Sequence, residues 1–282
     1  MKILVVLDTH EYSRNIMQDV TRLATNTLAD IVFLGVQEKS NSKPERSLVA
    51  ALLRYQHDLY SSFSPEDLPY EEFSNMEWQK KKCGDWLLSS RSMKKFTLRI
   101  RTGSVAKETI SLAAEIGSDL IILGCSSKYG CEWDGEMNVP LRIARNAPCS
   151  VLVIKKVGRV KQIVSILDQS AVSQESLEMV NQLVTLHDAG LKIVGVKEQG
   201  ARQDKIERQM VELLKYYNER RINAWIKLLN SQEIKDYVTT SSREGIVALW
   251  MGGKKSLLRK LFSRSMVDRL LGTTQSSLLV LR

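Results

Sequence analysis

Asp8 and Asp168 each follow directly on a short apolar run, residues 3–7 in one case and 163–167 in the other. Gly124 and Gly252 end two more such runs, residues 120–123 and 247–251. Runs of this kind read as strands of a parallel sheet, and ligands settle at the carboxyl ends of such strands, near the point where strand order reverses. Asp8, Val36 and the loop after Gly124 therefore outline one candidate nucleotide-type site, and Asp168, Val196 and the loop after Gly252 a second. The second loop opens Gly252-Gly253-Lys254-Lys255-Ser256, where Gly252, Gly253, Lys255 and Ser256 are candidates for holding a phosphate. The same residue types have a plainer use, since strand-end aspartates and glycines also cap helices and form turns.

The elements that must carry these residues occur twice. Lys2-Ile3-Leu4-Val5-Val6-Leu7-Asp8 is echoed by Gln162-Ile163-Val164-Ser165-Ile166-Leu167-Asp168, an offset of 160 positions at the aspartates. A helical pattern follows each, with Ile16, Val20, Leu23 and Ala24 on one apolar stripe and Leu177, Val180, Leu183 and Val184 on the other. The second strands, residues 31–36 and 191–196, both end in Gly-Val. Residues 120–124 correspond to 247–252, and residues 149–155 to 276–282. The first half carries a longer insertion, residues 37–93, in which the spacing predicts helices over 47–60 and 77–89. Residues 156–160 form the linker. The expectation is a duplicated α/β unit: residues 1–156 and 161–282, each a doubly wound parallel sheet covered by helices.

Other chemistries find little footing. His10, His57 and His187 stand apart in sequence, and neither a Gly-x-Ser-x-Gly elbow nor a His-Glu-x-x-His motif is present, so no catalytic residue is assigned. Cys83, Cys125, Cys131 and Cys149 lack the paired spacing of a structural zinc site, so no metal ligand is assigned. All four lie in the first half, which would leave the second half unstapled; free thiols in a reducing cytoplasm are expected. No apolar run approaches the ~20 residues that span a bilayer, and the amino-terminal run is cut short by Asp8. The formal charge of +9 is uneven: residues 1–156 hold 21 basic and 19 acidic side chains, residues 157–282 hold 20 and 13. Much of the excess sits between Lys254 and Arg269, where Leu257, Leu258, Leu261, Phe262 and Met266 form a helical stripe. An amphipathic basic helix there would suit an anionic partner, while sparse aromatic residues argue against nucleic acid. A second helical pattern, residues 204–222, reads as core or dimer surface through Ile206, Met210, Leu213, Leu214 and Tyr217.

Four segments carry a resemblance. Asp8-x4-Ser13, Gly103-Ser104-Val105-Ala106-Lys107-Glu108, residues 118–124 and Arg145-Asn146-Ala147-Pro148-Cys149-Ser150-Val151-Leu152-Val153-Ile154 together resemble a universal stress protein domain. The likeness covers the first half apart from its insertion and, more weakly, the second half. It implies two tandem Rossmann-like domains that pack through their edge strands, as single-domain members do in dimers. It also implies a strand-end cleft that in many members takes ATP or another adenine nucleotide. The family's phosphate loop reads glycine, two residues, glycine, nine residues, then glycine and Ser or Thr. Here those positions become Gly124, Ser127 and Met137-Asn138, with Glu132, Asp134 and Glu136 in between, where three carboxylates would repel a triphosphate. In the second half strict spacing from Gly252 puts Lys255 at the second glycine and Ser265-Met266 at the last pair, whereas helix phasing puts Arg264-Ser265 there, and Ser265 is the candidate.

The leading expectation is therefore a non-enzymatic tandem universal stress protein with degenerate nucleotide loops. Two readings stand beside it: an adenine-nucleotide-binding protein with weak ATPase activity, and an adapter that docks its basic helix on an anionic partner. Homodimerisation is left open.

Overall fold

A computed structural model describes the chain except residues 40–42, 65, 72–76, 82–84, 91–93, 126–132, 134–137, 156–158, 168–172, 198–202, 231, 235, 238–244 and 251–275. The chain divides into two compact units, Met1–Val157 and Gly158–Arg282.

In the first unit the chain runs β1 (Lys2–Val6), α1 (Glu11–Asn15), α2 (Met17–Thr27), β2 (Asp30–Gln37) and α3 (Arg46–Tyr60). It continues through β3 (Gln79–Lys80), β4 (Trp86–Ser89), β5 (Phe96–Thr102), α4 (Val105–Ile116), β6 (Leu120–Gly124), α5 (Val139–Asn146) and β7 (Ser150–Ile154). The sheet order is β7-β6-β1-β2-β5-β4-β3; the first five strands are parallel, and β4 and β3 add antiparallel at the edge. The central strands are buried along their length because helices cover both faces, so their sequences are apolar without alternation.

The second unit runs β8 (Gln162–Leu167), α6 (Gln174–His187), β9 (Gly190–Lys197), α7 (Gln203–Glu219), β10 (Ala224–Asn230), β11 (Ile246–Trp250) and β12 (Ser277–Leu281). Its order, β12-β11-β8-β9-β10, is wholly parallel and repeats that of β7-β6-β1-β2-β5. Two such sheets are doubly wound α/β units.

Local details recur at the same offset. Ile16, Val20, Leu23 and Ala24 are buried beside the first sheet, and Leu177, Val180, Leu183 and Val184 beside the second. The helices carrying them end on a left-handed residue, Leu28 (φ 46°) and Asp188 (φ 51°), each followed by an alanine and the next strand. A Cβ on Gly35 would meet Leu48 of α3 at 3.0 Å, and one on Gly195 would meet Met210 of α7 at 3.1 Å. Both glycines thus let the following helix close onto the second strand.

The insertion differs from expectation. The helix over 47–60 is present as α3, whereas the helix expected over 77–89 is replaced by β3 and β4. Trp86 and Leu88 point into the core while Leu87 and Ser89 are half-buried, a period of two that suits a strand; Gly84 further weakens helix formation. β5 and β10 lack the apolar-run pattern of the other parallel strands, because Arg99 and Arg101 interrupt one and Lys227 the other.

Asp19, in the first turn of α2, is buried, and its Oδ1 has no hydrogen-bond partner; Arg22 Nη1 stands 3.6 Å away. Burial pushes its carboxyl from 3.8 up to about 6, with the Arg22 charge drawing it partly back. A carboxyl whose folded-state pKa is raised favours folding when protonated. That advantage is full below about 4 and disappears as pH rises through about 6. Asp19→Asn is expected to raise stability by about 1–2 kcal/mol at pH 8 and to change little at pH 3, as read by urea denaturation.

Candidate functional site

The carboxyl ends of β1 and β6 lie side by side, since Val6 pairs with Leu123. Asp8 comes just past β1 and is 8% exposed. Its Oδ1 accepts from the Ser13 hydroxyl at 2.7 Å and from the His10 amide at 2.9 Å. Its Oδ2 accepts from His10 Nδ1 at 3.1 Å and from the Tyr12 hydroxyl. The Asp8 amide in turn donates to Ser13 Oγ at 3.0 Å, and the buried Tyr55 hydroxyl donates to the Asp8 carbonyl at 3.1 Å. A carboxylate offers about four lone-pair positions, and four donors from its own turn take them. Asp8 thus holds the β1–α1 turn together. The spacing Asp8-x4-Ser13 is explained by that closure.

Gly124, at the end of β6, makes a second internal contact. A Cβ there would lie 2.4 Å from the carbonyl oxygen of Tyr12, so the bare backbone is taken up by α1 of the same unit. The Gly124 carbonyl accepts from the indole Nε1 of Trp133 at 2.9 Å. Trp133 is 1% exposed, and its ring lies 5.0 Å from that of Tyr12, tilted by 41°. Tyr12 stacks on His10 at 5.4 Å with an interplanar angle of 6°. His10, Tyr12 and Trp133 therefore form a row of rings beside the end of β6. Beyond Gly124 the pairing with β7 continues, as the Cys125 amide donates to the Ile154 carbonyl at 3.0 Å.

The remaining first-unit candidates take separate positions. Val36 is half-buried near the end of β2, in register with Arg101 of β5. Asn138 is exposed, with φ at 60°, and precedes α5; its carbonyl accepts the Arg142 amide at 2.9 Å, but its side chain caps nothing. Ser127 lies outside the described residues. The structure therefore brings Asp8 and Gly124 together around α1, with Trp133 and Tyr12 as further members that loop spacing did not reveal. At the end of β2, Gln37 Oε1 accepts the Glu45 amide and its Nε2 donates to the Lys39 carbonyl, both at 3.0 Å, which fixes the entry to α3. The Asp8 carboxylate and the Gly124 backbone are thus engaged by residues of their own unit.

In the second unit Val196 is buried near the end of β9. Trp250, at the end of β11, donates its indole N–H to Ser165 Oγ of β8 at 2.7 Å, so both polar atoms are satisfied in the core. Asp168, Gly252, Gly253, Lys255, Ser256 and Ser265, like the basic segment 254–269, lie outside the described residues. Of the helical pattern over 204–222, Met210 and Tyr217 are buried, whereas Val211 is exposed. His187 is buried and accepts the Val160 amide at 3.4 Å. Among the described residues no group of three His, Cys, Asp or Glu side chains is placed to hold a metal ion, and no helix is long and apolar enough to cross a membrane. Cys149 is a free, buried thiol, but Cys125 is disulfide-bonded, which corrects the expectation of four free thiols.

Parallel order with a central first strand, a strand-end aspartate bonded to Ser13, and a glycine ending the fourth strand of the parallel core define a doubly wound unit of nucleotide-cleft type. Residues 1–155 match the model of the Universal stress protein family, and the chain belongs to that family. A solved universal stress protein from Archaeoglobus fulgidus DSM 4304 aligns with a TM-score of 0.62 at 12% identity, covering 100% of this chain and 96% of that one. The cytoplasmic domain of a prokaryotic cation chloride cotransporter aligns with a TM-score of 0.55 at 13% identity, covering 99% and 93%. At such identities the likeness is one of fold. No curated protein matches the chain.

Proposed function

We propose that this chain is a non-enzymatic tandem universal stress protein, a regulatory or protective cytoplasmic factor whose first cleft is closed by its own side chains. In this reading residues 1–156 form one domain and residues 161–282 a second, degenerate one, supported by the shared strand order and the repeated offset of 160. The observation that carries it is the Trp133 indole, buried and bonded to the Gly124 carbonyl at 2.9 Å. Glu132, Asp134 and Glu136, its neighbours in sequence, make that loop acidic, which is unfavourable to a triphosphate.

Calorimetry with ATP, ADP, AMP and cyclic AMP, run on the full chain and on Asp8→Ala, tests the proposal. The expected result is that Asp8→Ala changes no nucleotide affinity. Binding tighter than about 10 µM that Asp8→Ala abolishes would overturn it.

The charge excess of residues 157–282, 20 basic against 13 acidic side chains, favours a second reading, docking of the basic segment on an anionic partner. Retention on heparin at low salt that is lost on neutralising Lys254, Lys255, Arg259 and Lys260 is the result this reading requires, and absence of retention removes it.

A further inference from the structure

The second unit has a cavity of about 530 Å³ at the amino-terminal edge of β8, β9 and β10, the opposite end of β9 from Val196. Its size falls within the range of small-molecule sites. Lys161, Arg220 and Arg221 line it against a single carboxylate, Asp188. The carbonyl ends of α6 and α7 point toward this edge and offset about half a charge each, which leaves the cavity positive.

The three cations are not equivalent. Arg220 is engaged, with Nη1 donating to the Tyr216 carbonyl at 3.2 Å and its guanidinium 3.7 Å from the Tyr216 ring. The Lys161 ammonium and the Arg221 guanidinium have no ion-pair or hydrogen-bond partner among the described residues. Arg221 also holds a left-handed backbone, φ 58°, a conformation that costs roughly 1–2 kcal/mol for a residue of this kind. It is the position at which α7 ends, as Leu28 ends α2 and Asp188 ends α6, with the Ile222 amide donating to the Tyr217 carbonyl at 3.0 Å.

Trp225 completes the wall. It is 49% exposed, yet its ring rests on Gly190, where an added Cβ would come within 2.8 Å of the indole. Strand pairing fixes the backbone beneath it: the Gly190 amide donates to the Lys161 carbonyl and the Leu191 amide to the Asn223 carbonyl, both at 3.0 Å. One flat apolar face is thus presented on the sheet edge beside two cations that no described residue neutralises.

We propose that this cavity binds a small organic anion that stacks a planar ring on Trp225 and places a phosphate or carboxylate between Lys161 and Arg221. The proposal does not depend on how the first cleft is read. Calorimetry on the full chain with 1-naphthyl phosphate as probe, and with 1-naphthol and inorganic phosphate as its separated halves, tests it. The expected dissociation constant is below about 1 mM, with each half at least about tenfold weaker. Lys161→Gln, Arg221→Asn and Trp225→Ala should each weaken the probe about tenfold or more. Asparagine tolerates the left-handed backbone at 221, so an unchanged melting curve for that variant separates lost binding from lost fold. No binding at 1 mM, affinity unchanged in Arg221→Asn, or inorganic phosphate binding as tightly as the probe would each overturn the proposal.

Discussion

Trp133→Ala is expected to lower the unfolding free energy by about 3–5 kcal/mol, the range for removing a large buried aromatic side chain. Two losses combine. The indole surface, packed on Tyr12 and 1% exposed, leaves a cavity that the strand ends of a parallel sheet cannot collapse to fill. The Gly124 carbonyl also loses its donor, and an unsatisfied buried acceptor adds about 1–3 kcal/mol of the same sign. Trp133→Phe separates these contributions, retaining most of the packing and none of the hydrogen bond. Indole added to Trp133→Ala should restore part of the lost stability, since the vacated space is shaped for that ring. Guanidinium denaturation with and without indole measures all three effects. A loss below about 1 kcal/mol in Trp133→Ala would mean that the ring does not seal the cleft.

The second large effect is expected at the edge of the first sheet. Asp85 Oδ2 accepts from Arg99 Nη2 at 2.9 Å and from Arg101 Nε at 3.1 Å. Arg99 also reaches Glu115 Oε1 at 2.7 Å, Arg101 bonds Glu115 Oε2, and Glu108 stands 3.6 Å from Arg101 Nη1. Both guanidiniums belong to β5 and are largely shielded from water. Two guanidiniums face three carboxylates here, so removing Asp85 strands no charge but strips the buried Arg101 Nε of its acceptor. Asp85→Ala is therefore expected to cost about 1–3 kcal/mol by denaturant titration. Asp85→Ala combined with Arg101→Leu should recover part of that loss, because the orphaned donor goes with its acceptor.

The same cluster sets an acid limit. Burial alone would raise the Glu115 carboxyl, but hydrogen bonds from Arg99 and Arg101 and their two charges hold it below its ordinary value of 4.5. A carboxyl lowered on folding stabilises the folded state above the unfolded value, and the contribution is lost as pH falls through the folded one. Glu115→Gln should accordingly flatten the fall in stability below about pH 4.5.

Legibility in the sequence followed the sources of stability. Strands β1, β2, β6, β7, β8, β9, β11 and β12 were readable because full burial on both faces makes each an apolar run, and the duplication presents most of the pattern twice. β5 was hidden because Arg99 and Arg101 look like solvent-facing charges until Asp85 and Glu115 are brought to them from positions 14 to 16 residues away. β10 was hidden in a similar way: Lys227 interrupts its apolar pattern, and its ammonium sits 4.7 Å from the Tyr237 ring. The places of Asp8 and Gly124 at strand ends could be read from the runs they close. Their engagement by Tyr12, Ser13 and Trp133 could not, since loop spacing carries no record of where a side chain nine residues beyond Gly124 will turn. Trp133 stands in sequence among Glu132, Asp134 and Glu136, and a lone indole in so acidic a stretch carries no apolar pattern.

Trp133 also gives the protein an internal optical gauge. An indole held in a dry, hydrogen-bonded seat emits toward the blue, and on the closed-cleft proposal a molecule entering beside Asp8 would turn that ring out into water. Entry would then register as a red shift in the unlabelled chain, absent from Trp133→Phe, and the rate of the shift would report how fast the seal opens rather than how fast the visitor arrives.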